Sequence, residues 1–194
     1  MTSVLKVDSI QNSSGTAAMT IDSSGTLAIS GNTDVSKLAG SAVSMNTKSS
    51  HTFDNIPSVY NRLTLIFNDL SLGTTGETKI QFGTSSGFVT TGYWNRDGYA
   101  TQGGTYQTQL DSNNDCFTTA SWTGNTNNFY GYWEFLHAGG NTWFSRNNGA
   151  FRSNNNNYMI EQFGQIDLSD TLTQIKIFPA SGTFDAGTIN LLYG

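Results

Sequence analysis

Tyr60-Asn61-Arg62-Leu63-Thr64-Leu65-Ile66-Phe67-Asn68-Asp69-Leu70-Ser71-Leu72 sets Leu63, Leu65 and Phe67 on every second position. Successive side chains of an extended chain point to opposite faces, so this stretch reads as a strand with one buried face. The same texture continues on either side of it. Lys79 to Gly83 follows the turn Gly73-Thr74-Thr75-Gly76. Further strands are expected at Phe88–Trp94, Phe117–Trp122, Phe129–Leu136, Thr142–Ser145, Tyr158–Phe163, Leu172–Phe178 and Thr188–Tyr193. Short strands divided by Gly, Asn and Ser turns predict an all-β chain, with an antiparallel, jelly-roll-like β-sandwich over residues 52–194. Pro57 and Pro179 fall where strands start or end, as antiparallel sheets allow. Asn147-Asn148 and Asn154 to Asn157 read as polar hairpin loops. Gly194 follows directly on the last strand, which predicts a terminus held in the sheet.

Composition agrees with that reading. Only 12% of the 194 residues are charged, about half the usual globular share, while aromatics reach 12%. The core is therefore expected to rest on Phe, Tyr and Trp, and the surface on Asn, Ser, Thr, Gln and Gly. Those polar residues are weak helix formers. A net charge of −5 and nine scattered Lys and Arg leave no basic patch for phosphates, so nucleic acid is not an expected partner. No run approaches the ~18 apolar residues of a membrane span, and Met1-Thr2-Ser3 opens no signal peptide. The single cysteine, Cys116, excludes an internal disulfide and reads as a small apolar residue beside Phe117.

The first thirty residues have a separate character. Val4 to Ile10 alternates apolar and polar, and Ser-Ser-Gly-Thr recurs at Ser13–Thr16 and Ser23–Thr26 between short β-prone runs. Three strands of this size bury too little to stand alone, so the segment needs a partner. Residues 1–30 are expected to form a shaft or docking unit, with Val4, Leu5, Val7, Ile10, Met19, Ile21, Leu27 and Ile29 carrying the docking or trimer contacts. Residues 31–51, small and polar, read as a connector, with one helical turn at most over Asp34–Ala39.

Catalytic patterns are thin. His51 reads as a connector residue and His137 as a strand end, with no further His or Cys at metal-ligand spacing. Asp111 with Asp115 and Asp167 with Asp170 sit in loops, where Asp caps turns through its own backbone. No cofactor, metal or enzymatic activity is expected. Sugar binding is the better candidate, because aromatic faces stack on sugar rings while amides bond hydroxyls. Tyr93, Trp94, Tyr99, Tyr106, Trp122 and Trp143 are the expected glycan contacts.

Leu5-Lys6-Val7-Asp8-Ser9-Ile10-Gln11-Asn12-Ser13-Ser14-Gly15, continuing to Met19-Thr20-Ile21-Asp22-Ser23-Ser24-Gly25, resembles the N-terminal signature of virion structural proteins of marine tailed bacteriophages, notably cyanophages. The ending from Ile175 to Gly194 is similar to the closing strands of those proteins, with Leu191-Leu192-Tyr193-Gly194 as a variant of the usual last residues. The resemblance implies a non-enzymatic homotrimer on the surface of a phage particle, made in the host cytoplasm. Its opening segment would attach to other virion proteins of the tail or the capsid, and its head would contact host surface polysaccharide as a tail fibre or appendage. A capsid decoration protein that cements the head is the alternative, and a polysaccharide-degrading tailspike a more distant one.

Overall fold

The alternation around Leu63 is realised in the fold: Leu63, Leu65 and Phe67 are buried, while Arg62 and Ile66 face out. The computed structural model describes residues 9–11, 13–15, 17–21, 23, 27–29, 37–38, 40–101, 103–110, 115–119, 128–152 and 157–194. Among these there is no helix, and every strand pairing is antiparallel.

The chain divides into two compact units, Met1–Val35 and Ser36–Gly194. In the first, β1 (Ser9–Gln11), β2 (Ala17–Ile21) and β3 (Leu27–Ile29) form a three-stranded meander. Its register sets Ile10 opposite Met19, Met19 opposite Ile29, and Ile21 opposite Leu27.

The second unit holds β4 (Lys37–Leu38), β5 (Val43–Ser44), β6 (His51–Phe53), β7 (Arg62–Leu72), β8 (Thr78–Thr84), β9 (Gly87–Phe88) and β10 (Trp94–Thr101). After these come β11 (Tyr106–Leu110), β12 (Phe117–Thr118), β13 (Asn128–Gly139), β14 (Thr142–Arg152), β15 (Asn157–Asp167), β16 (Gln174–Pro179) and β17 (Phe184–Tyr193). The large sheet runs β11-β10-β15-β14-β13-β7-β17-β4, with β5 also on β17. The smaller runs β12-β8-β16-β6, with β9 on β8. The two sheets pack as a sandwich around aromatic rings. Phe82 of the small sheet lies edge-on to Phe135 at 4.9 Å and to Trp143 at 5.9 Å across the interface. Gly194 exchanges both backbone bonds with Arg62, at 2.8 and 2.9 Å, so the last residue is held in the sheet.

Several expectations change. The segment read as a connector is partly woven into the second unit: β4 and β5 pair with β17, and Met45 is fully buried. Lys37–Leu38 is thus a strand where a helical turn was considered. His51 is not a loop residue but opens β6, half-buried opposite Ile177 and edge-on to Phe53 at 4.7 Å. Burial, and secondarily the charge of Lys48, push its pKa below the usual 6.5, while Asp54 pulls the other way.

Phe88–Trp94 is not one strand. Val89 N–H bonds Phe82 O, and Phe82 N–H donates to the Tyr93 hydroxyl at 2.7 Å, so Tyr93 turns into the core and β10 begins only at Trp94. The strand expected at Thr142–Ser145 continues to Arg152, and Asn147-Asn148 lies in its middle instead of in a loop. Asn147 lies on the inner face beside a polar chain that its own amide does not join. Trp133 Nε1 donates to Ser145 Oγ (2.6 Å), Ser145 Oγ to Gln162 Oε1 (2.9 Å), and Gln162 Nε2 to Asn95 Oδ1 (2.5 Å). Such a buried chain of amides and hydroxyls stays inside only because its members bond one another. The loop reading of Asn154 to Asn157 falls largely outside the described residues, except that Asn157 opens β15.

Candidate functional site

The outward face of the large sheet stands out. On β7, β13, β14, β15 and β10 the inward positions face the core, and the pleat turns most of the intervening residues to the opposite face of the sheet. Among the polar residues such a face normally carries stand many large apolar ones. Ile66 on β7, Tyr130, Tyr132 and Leu136 on β13, Phe144 on β14, Met159 and Phe163 on β15 and Trp94 on β10 are all exposed.

Register arranges them in rows. Trp94, Gln165, Phe144, Leu136 and Arg62 stand side by side across five strands. In the next row come Arg96, Phe163, Arg146, Glu134 and Thr64. Beyond it are Glu161, Asn148, Tyr132 and Ile66. An open groove of about 270 Å³ runs between the first two rows, walled by Trp94, Leu136, Phe144 and Phe163. All four arginines of the chain, Arg62, Arg96, Arg146 and Arg152, occupy exposed positions of this sheet. The Arg146 guanidinium lies 5.9 Å from the Phe163 ring, within cation–π range. Arg62 pairs with Glu134 at 2.5 Å.

At one rim Asp69 sits at φ +58 in a bulge and accepts hydrogen bonds from Asn128 Nδ2 and the Tyr130 hydroxyl. The Tyr130 bond, then that of Asn128, holds the Asp69 carboxyl below its usual range, and the same bond to Asp69 raises the Tyr130 phenol. At the opposite edge Tyr106 of β11 lies over Gly98, where any Cβ would collide with its ring.

The expected glycan residues separate accordingly. Trp94 and Tyr106 are exposed on this sheet. Tyr99 is half-buried, its hydroxyl donating to Gln107 Oε1 at 2.5 Å. Tyr93 and Trp143 are core residues and offer no ring to a sugar. Burial drives the Tyr93 phenol well above its usual pKa, and Trp143 stacks on His137 at 4.9 Å. Trp122 lies outside the described residues. In the first unit Ile10 and Ile21 are exposed and Met19 is half-buried. Leu27 and Ile29 lie on β3, and Val4, Leu5 and Val7 fall outside the described residues.

Phe144, Phe163, Leu136, Tyr132, Ile66 and Met159 were not anticipated as surface residues. A signal for some of them existed. Tyr132-Trp133 and Trp143-Phe144 are adjacent aromatic pairs, and neighbours on a strand cannot both face the core.

The remaining candidates act as structural groups. Asp167 accepts from Thr142 Oγ1 at 2.6 Å. Asp170 accepts from its neighbour Thr171 N–H and from Ser85 Oγ, which lowers its pKa. His137 lies near the end of β13, its ring nitrogens against Asn61 Oδ1 and Gly140 O. Cys116 is buried, its Sγ donating to Asp115 Oδ1; Asp111 lies outside the described residues. Among the described residues no three of His, Cys, Asp and Glu gather to hold a metal, and no helix is long and apolar enough to cross a membrane. No protein-family model matches the chain, and no curated protein or solved structure matches it at a significant level.

Proposed function

We propose that this chain is a non-enzymatic structural protein of a bacteriophage particle, assembled as a homotrimer and mounted as a short tail fibre that holds the particle to its host. The observation that carries the reading is the first unit. It is a three-stranded meander too small to be stable by itself, and it leaves Ile10 and Ile21 exposed. A segment of that kind is completed by other chains, which are sister copies and the virion protein it docks on. The second unit is then the head, a sandwich of jelly-roll type.

The jelly-roll reading draws support from one feature of the topology. β7 pairs with β17 in the large sheet and β8 with β16 in the small one, so two antiparallel segments cross between the sheets together. Backbone bonds from Gly73 to Thr183 (2.9 Å) and from Ala180 to Glu77 (2.8 Å) hold that crossing. Tyr106, exposed on the edge strand β11, is the residue we assign to contact with host polysaccharide. Three heads carrying one weak contact each gain avidity from their linkage.

Imaging labelled protein on purified particles tests the proposal. A few copies at the tail support it. A regular array over the capsid would overturn it in favour of a decoration protein, and absence from the particle would remove both. Release of reducing ends from host polysaccharide by the purified chain would overturn the non-enzymatic part.

A further inference from the structure

We infer that the outward face of the large sheet is a contact surface for a second copy of this chain. The inference rests on the homo-oligomeric part of the reading above and is independent of the phage role.

Size is the first argument. The eight exposed apolar side chains of this face are between 37% and 58% accessible. With roughly 150–250 Å² for each aromatic side chain, they leave on the order of 700 Å² of apolar surface open. The largest apolar patch on a typical monomer is about 300–600 Å². A stable protein–protein interface covers about 800 Å² on each partner. Interleaved with Arg96, Arg146, Glu134 and Gln165, these side chains make a mixed surface whose apolar area alone approaches one side of an oligomer contact.

Shape and chemistry are the second. The exposed side chains span five neighbouring strands in consecutive rows, so the surface extends well beyond the one groove between Trp94, Leu136, Phe144 and Phe163. Ile66, Leu136 and Met159 are aliphatic and lack the flat ring on which a pyranose stacks. Large apolar groups from several strands, set among polar ones, suit another protein surface.

Charge is the third. Arg62 with Glu134, Arg96 and Arg146 flanking Phe163, and Glu161 one row away place both signs on one face. Across a two-fold contact Arg96 or Arg146 of one copy can meet Glu161 of the other, while Arg62 keeps its own Glu134.

The test uses the full chain in three forms: wild type, a face variant (Phe144→Arg with Phe163→Arg), and a first-unit variant (Ile10→Asp with Ile21→Asp). Sedimentation velocity over a concentration series gives assembly. Acrylamide quenching of Trp94, isolated by difference from Trp94→Phe, reports whether the face is covered and requires no disruptive substitution. The proposal expects Trp94 shielded in concentrated wild type and released on dilution. It also expects the face variant to dissociate at a concentration at least about tenfold higher, a shift of about 1.4 kcal/mol.

Trp94 open to quencher at every concentration overturns the proposal. If only the first-unit variant changes assembly and Trp94 stays accessible, the homo-oligomer stands and this surface does not. Shielding of Trp94 only on addition of host polysaccharide overturns the proposal in favour of a glycan platform.

Discussion

Asn147 is fully buried opposite Trp133 on one neighbouring strand and Gln162 on the other, and neither of its amide atoms has a hydrogen-bond partner. A buried amide without partners costs about 1–3 kcal/mol relative to an apolar side chain of similar size. Asn147→Val is therefore expected to stabilise the fold by about 1–2 kcal/mol, read as a higher urea midpoint with an unchanged slope. His51 offers a second residue-level test. Its folded-state pKa lies below its ordinary 6.5, so the unfolded chain binds the proton more readily. The associated stability is present above pH 6.5 and is lost as pH falls through the lower folded value. The wild-type denaturation midpoint should drop between about pH 7 and 5 more steeply than that of His51→Gln. Parallel slopes for the two proteins would show that His51 contributes nothing to the dependence.

At the scale of elements, the bulge where β7 meets β17 is the most constrained point. Gly187 has φ +93, and a Cβ there would collide with the Asp69 carbonyl and the Leu70 Cα. Gly187→Ala is expected to destabilise the second unit by at least about 1–3 kcal/mol, measured by thermal unfolding. A stability equal to wild type would mean the bulge can open without cost. Strand legibility followed from the type of residue at the centre of each element. Leu63, Leu65 and Phe67 mark β7 by alternation alone. The full length of β14 is not legible because Ser145, Asn147 and Asn148 carry turn chemistry, and Ser145 is accommodated inside only by its bonds to Trp133 and Gln162. The β10–β11 hairpin carries no signal in the sequence, since Asn95, Asp97 and Gln107 give its strands no apolar face.

For the whole molecule, the two compact units predict that assembly and head stability separate. Ile10→Asp with Ile21→Asp should weaken assembly or attachment while leaving the main thermal transition of the second unit within about 2 °C, since exposed positions contribute within about 0.5 kcal/mol. A transition shifted as far as that of Gly187→Ala would show the units to be one folding body.

The sequence by itself determined that the chain is all-β, where most strands lie, and that the first thirty residues differ from the rest. Those are local properties: residue type and a period of two are enough to state them. It also required that one ring of each adjacent aromatic pair leave the core. Which ring leaves was decided only by tertiary structure, because alternation opposes neighbours without saying which face the second sheet covers. The same non-local pairing of β10, β15, β14, β13 and β7 gathered Trp94, Phe163, Phe144, Leu136 and Ile66 from distant segments into one exposed surface.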